Sequence, residues 1–188
     1  MPRPARKLPH CLLSALLGLA VLVFAGNART ADAAVPTRAS KVATVVWGII
    51  SYTRWSGEQK SLRICLPEDS AYAVAIRESA KVVTPGRPVV VRTTPPDAAT
   101  ACDVVYFHDI SSEEASHLLK TFIGAPVLTI GEGRAFCTAG GMFCLLPGSG
   151  GETEGGGARF AVNLDATSRS HLRISPQVLK LSKHGRER

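Results

Sequence analysis

The chain has 188 residues, of which 22 are Lys or Arg and 15 are Asp or Glu, for a formal charge of +7. Residues 1–33 hold Arg3, Arg6, Lys7 and Arg29 against the single acid Asp32, so without them the formal charge is +4. An excess this small, spread along the chain apart from the tail KHGRER at 183–188, argues against nucleic acid as a partner and describes a solvated surface.

In chain order, residues 1–33 read as a cleaved secretory signal peptide. Arg3, Arg6 and Lys7 form a basic start, Cys11 to Ala25 an apolar stretch, and Ala31-Asp32-Ala33 a small-x-small cleavage site. The stretch is shorter than the roughly 20 apolar residues that a membrane span needs, and no later segment approaches that length. An uncleaved anchor is the alternative. Cys11 lies inside the apolar run rather than after it, so it is expected to leave with the signal. The mature chain then begins near Ala34. About 155 residues remain, enough for one domain with a real core over 34–182, followed by the basic tail 183–188.

Val42, Val45, Val46, Ile49 and Ile50 recur at helical spacing and predict a helix to about Tyr52. SLRICL at 61–66 alternates as a strand, and DSAYAVAIRESA follows as a helix with Asp69 or Ser70 as N-cap. RPVVVRTT (87–94) and CDVVYF (102–107) predict two more strands. In SSEEASHLLKTF, Ser111 and Glu114 have capping-box spacing and Ala115, Leu118, Leu119 and Phe122 form the stripe, which Gly124 and Pro126 end. APVLTIG is a fourth strand. The loop PGSGGETEGGGA leads to RFAVNL (159–164), so MFCLL and RFAVN are expected to pair antiparallel. A last helix starts at Ser175 with Pro176 in its first turn and carries Val178, Leu179 and Leu181 inward. This alternation predicts an α/β fold: a single domain with a mixed, partly parallel sheet flanked by helices and a disulfide-stapled C-terminal β-hairpin region.

Four cysteines survive processing: Cys65, Cys102, Cys137 and Cys144. An even count in an oxidising compartment favours two disulfides, with three connectivities. If Gly140 and Gly141 are the centre of a tight hairpin turn, Cys137 faces Cys144 across the strands at about 5 Å between Cα atoms, within disulfide range. His108 and His117 do not join either cysteine in a zinc-like pattern, so no metal site is expected. Six residues separate the pair where a thioredoxin-like centre has two.

Catalytic constellations are thin, and no catalytic residue or cofactor is expected. GEGRAF at 131–136 ends in Phe136 where a dinucleotide loop has glycine, and reads as a turn. The glycines around Ser149 make no nucleophile elbow. Asp109, Glu113 and Glu114 suit the start of a helix. The candidate ligand or partner contacts are Arg54 and Trp55 in YTRW, His108 at a strand end, and the cluster Arg169, His171 and Arg173. Each has a plainer reading as solvated surface or structural packing.

Taken together, SYTRWSG, LRICLP, CDVVYF, PVLTIGEGRAFCTAGGMFCLL and RFAVNLDATSRSHLRISPQVLKL resemble the YfiR-type periplasmic proteins, the DUF4154 family, over roughly Lys41 to Leu181. Its most specific marks here are the block from PVLTIG to the Gly pair, and Phe160, Asn163, Leu172, Ile174, Ser175, Val178 and Leu179. Val178 stands where leucine is usual, and a polar SRSH precedes Leu172 where small residues are common. The resemblance implies a non-enzymatic periplasmic protein that represses a YfiN-like inner-membrane diguanylate cyclase by binding its periplasmic sensor domain. It implies release by a YfiB-like outer-membrane lipoprotein, cyclic di-GMP and biofilm output, and a homodimer; Trp47, Tyr52 and Trp55 are a candidate contact surface, and core packing explains them at least as well. It also implies the pairs Cys65 with Cys102 and Cys137 with Cys144; a short cross-strand bond can be strained and reducible, which leaves disulfide state open as an input. The alternative is a periplasmic small-ligand binding module without a cyclase partner.

Overall fold

The central strand Val104–Phe107 is wholly β-branched and aromatic, and all four of its residues are buried, because a strand covered on both faces has no side to give to water. The computed structural model describes residues 38–57, 60–66, 70–83, 88–146 and 159–182, all within the compact unit Pro36–Arg188. The expected signal peptide, Asp69, the loop 147–158 and the tail 183–188 lie outside them.

The elements are α1 (Arg38–Ser51), β1 (Thr53–Arg54), β2 (Leu62–Leu66), α2 (Ala71–Val83), β3 (Val89–Thr93), α3 (Ala98–Ala101), β4 (Val104–Phe107) and α4 (Ser112–Leu119). They continue with β5 (Leu128–Glu132), α5 (Arg134–Thr138), β6 (Phe143–Leu145), β7 (Phe160–Val162), α6 (Leu164–Arg169) and β8 (Arg173–Ile174). Six strands form one sheet in the order β3-β2-β4-β5-β6-β7. Neighbours from β3 to β6 are parallel, and β7 closes the edge antiparallel to β6 with Phe143 opposite Val162. The fold is therefore the expected α/β class with a mixed, partly parallel sheet.

Alternation along the strands sorts the core into two layers. Leu62, Ile64, Leu66, Val104, Tyr106, Leu128, Ile130 and Phe143 meet α1 and α2 on one face. Cys65, Val105 and Phe107 meet residues of α3, α4 and α5 on the other. From β2 the chain steps through α2 to β3 on one side, then crosses to β4 and continues to β5 and β6 on the other. Right-handed crossovers in opposite directions put their helices on opposite faces. The α4 cap forms as expected, with the Ser111 side chain accepting from the Glu114 N–H.

The structure corrects the local reading around Gly140 and Gly141. They are not the centre of a hairpin: Cys137 lies on α5, and β5 and β6 are parallel strands joined by that short helix. Gly140 has φ 112° and donates to Cys137 O at 3.0 Å, while Gly141 donates to Phe136 O at 3.0 Å. This pair of bonds is a Schellman helix stop, which asks for the same positive-φ glycine that a hairpin turn does. A Cβ on Gly141 would lie 2.0 Å from the Phe136 ring, so the second glycine makes room for that side chain.

The C-terminal turn differs too. Pro176–Ser182 is a 3-10 helix, in which side chains three apart eclipse. Val178 is buried and Leu181 packs against α1 at Gly48, while Leu179 points outward and is 48% exposed. Of the two readings of Trp47, core packing is the one observed: it is 2% exposed and its indole donates to Ile76 O.

Candidate functional site

Where α1 ends, the Thr53 hydroxyl donates to Ile49 O at 3.0 Å and is buried. That anchor turns the chain into β1, which pairs antiparallel with β8: Thr53 opposite Ile174 and Arg54 opposite Arg173. The Ser175 N–H donates to Tyr52 O at 2.9 Å and extends the pairing. On the neighbouring α6, the Asn163 side chain caps the helix by accepting from Ala166 N, and its amide donates to Cys137 O at 2.9 Å. The short ladder and α6 thus border a cavity of about 680 Å³ lined by Arg54, Arg173, Tyr52, Ser51, Thr167 and Ser168 among others.

Two cross-strand arginines in one cavity form a positive patch suited to a carboxylate or another anion, while the Ser51, Thr167 and Ser168 hydroxyls already donate to backbone carbonyls. Arg54 is steadied by bonds from its Nη1 to Ser51 O (2.7 Å) and Thr53 O (2.9 Å). Arg173 is exposed and has no acidic partner among the described residues.

The other sequence candidates are distributed differently. His171 is exposed, at φ 56° in the link from α6 to β8, and does not line the cavity. Arg169 is paired with Asp165 at 2.6 Å and borders a separate small cavity. Trp55 follows Arg54 but packs on the core, with its indole donating to Asp103 O at 3.3 Å. His108 stands elsewhere, at the end of β4, with its ring 4.8 Å from that of Tyr72. Hence only Arg54 and Arg173 share the cavity.

Sequence reasoning missed the hydroxyl lining and two polar clusters built on the buried side chains of Asp103 and Tyr106. Asp103, 2% exposed, accepts from Arg63 N, Nε and Nη2 at 2.7, 3.1 and 2.8 Å. This bonding holds the guanidinium of Arg63 above its ordinary value. Tyr106 donates to Glu132 at 2.7 Å, and Glu132 also pairs with Arg38 at 2.5 Å. Burial first, then Glu132, pushes the Tyr106 phenol up from its usual range. A short-range signal existed for Asp103 in its place between Cys102 and a buried strand. None existed for Glu132, whose partners are remote in sequence.

The disulfides flank these elements. Cys65 on β2 bonds Cys102 just before β4 with Cα atoms 6.0 Å apart, and Cys137 on α5 bonds Cys144 on β6 at 5.6 Å. Among the described residues no group of three or more His, Cys, Asp or Glu could hold a metal ion.

Among solved structures, the chain is similar to a conserved domain protein from Vibrio cholerae O1 biovar El Tor str. N16961, with 16% identity and a TM-score of 0.47. The match covers 77% of this chain and 58% of that one, so the chain spans less than two thirds of its length. A family model described as YfiR/HmsC-like matches residues 39–183. That span takes in the six-stranded sheet, both disulfides and the Arg54–Arg173 ladder, and the chain belongs to the YfiR/HmsC-like family, DUF4154.

Proposed function

We propose that this protein is a periplasmic negative regulator that binds the periplasmic sensor domain of a YfiN-like inner-membrane diguanylate cyclase and restrains cyclic di-GMP synthesis. The observation that carries the reading is membership of a regulatory rather than catalytic family over residues 39–183. The two disulfides suit an oxidising compartment. On this reading residues 1–33 are a signal peptide removed on export, residues 34–182 are the regulatory domain and residues 183–188 a basic tail. The protein acts as a homodimer, and a YfiB-like outer-membrane lipoprotein sequesters it and frees the cyclase. Disulfide state is an input to the switch.

The Arg54–Arg173 face is the proposed contact, and an acidic segment of the sensor domain is its counterpart. The test is capture of the sensor domain by the oxidised protein and by an Arg54→Glu, Arg173→Glu variant. Capture by the first and not by the second supports the reading. Equal capture by both contradicts the assigned face.

The cavity favours a second reading, a binding module for a small anion between the two arginines. A tryptophan-fluorescence titration with small carboxylates and phosphates checks it. Saturation that Arg173→Ala abolishes supports this reading, and a flat titration removes it.

A further inference from the structure

Among the described residues, three buried side-chain atoms have no hydrogen-bond partner: Ser70 Oγ, Thr94 Oγ1 and His108 Nε2. Buried polar atoms are nearly always paired, so each exception asks for a cause. All three follow the carboxyl ends of adjacent strands: Ser70 after β2, Thr94 after β3 and His108 after β4. This is the edge where the chain reverses its direction of travel across the sheet, the place where open α/β sheets bind ligands.

Thr94 also borders a cavity. Its backbone is fixed by donation to Leu66 O at 2.5 Å, but its hydroxyl is uncommitted. The cavity holds about 310 Å³ and its walls include Pro95, Pro96, Phe107, Leu118 and Phe122. Phe107 and Phe122 are buried and meet edge-on at 6.2 Å, so that wall is formed in advance. The two prolines bring no backbone N–H. Thr121, also at the rim, already donates its hydroxyl to Leu118 O at 2.7 Å. The walls are therefore apolar, with Thr94 as their uncommitted hydroxyl. Rotation about χ1 exchanges a threonine hydroxyl with its methyl, so the shielded Oγ1 can be turned toward a guest.

We propose that this cavity binds a small, mainly apolar, ring-sized molecule carrying one hydrogen-bonding group, which pairs with the Thr94 hydroxyl. The site is distinct from the Arg54 cavity, with which it shares no lining residue. It therefore stands or falls independently of the regulatory reading. Its Phe107 and Phe122 walls belong to the same apolar layer as the Cys65 and Cys102 disulfide.

The test uses purified protein with both disulfides formed and two probes of one shape, 2-naphthol and 2-methylnaphthalene, titrated by calorimetry. The wild type binds both saturably, with 2-naphthol tighter by roughly tenfold, the discrimination of one hydrogen bond. Thr94→Val retains 2-methylnaphthalene binding and loses the preference. Leu118→Trp fills the cavity and abolishes both; Thr121→Leu is a second filling variant should the first not fold, with circular dichroism as the check. Absence of saturable binding by the wild type overturns the proposal. So does an undiminished preference in Thr94→Val, or unchanged binding in a folded cavity-filling variant.

Discussion

Arg54 lies directly opposite Arg173 in the ladder between β1 and β8, so two guanidinium groups share one edge of one cavity. Like charges at opposed strand positions destabilise the pair, and an anion between them relieves that repulsion.

Arg173→Ala is accordingly expected to leave stability within about 0.5 kcal/mol of the wild type or raise it slightly. The same change is expected to weaken sensor-domain binding at least tenfold, since a charge-assisted hydrogen bond contributes on the order of 1.5 to 3 kcal/mol. Urea unfolding and calorimetric titration measure the two effects. A large loss of stability with unchanged binding contradicts this assignment.

The disulfides are expected to differ in their contribution. Cys65–Cys102 joins residues 37 apart and Cys137–Cys144 residues 7 apart. Loop-closure entropy then gives about 4 kcal/mol for the first and about 2.5 kcal/mol for the second. Unfolding of the two double alanine variants, Cys65→Ala with Cys102→Ala and Cys137→Ala with Cys144→Ala, is expected to rank them in that order. In cells, the first variant is expected to lower the amount of folded protein and derepress cyclase output.

Gly141→Ala is expected to cost about 1 to 3 kcal/mol, because the new methyl meets the Phe136 ring at the end of α5. Phe136→Leu alone also destabilises, but combined with Gly141→Ala it should cost less than the two changes summed. A double-mutant cycle in urea checks this coupling.

Tyr106 keeps its proton in the fold to higher pH than in the unfolded chain, chiefly through burial. Above the ordinary tyrosine value near 10 the unfolded state loses that proton first, so the folded state binds more protons and stability falls as pH rises. Tyr106→Phe removes this contribution. The slope of unfolding free energy between pH 9 and about 11 is expected to be shallower in the variant.

The α/β architecture was legible because its strands carry the signature of burial. Val104 and Val105 sit in the continuous run VVYF and Ile64 in the alternating LRICL, and all three are fully buried. The antiparallel pairing of β6 with β7 could be read from two apolar runs separated by a glycine-rich loop. The Gly140–Gly141 pair was ambiguous in principle, since a helix stop and a hairpin turn both need positive φ; the parallel pairing of β5 with β6 through α5 decides between them. β1 and β8 escaped because a two-residue strand has no periodicity to detect. The arginines of the site stood out by residue type, but their juxtaposition depends on a pairing between positions far apart in sequence. Leu179 was misplaced because α-helical spacing was assumed where the chain is 3-10.

The most direct measurement of the central claim is affinity capture by the purified protein, oxidised and reduced, of the periplasmic domain of each membrane diguanylate cyclase encoded in the same genome. The account predicts that the oxidised protein retains one of these domains, that Arg54→Glu with Arg173→Glu releases it, and that reduction changes the amount retained. Failure to retain any of them in either redox state would contradict it.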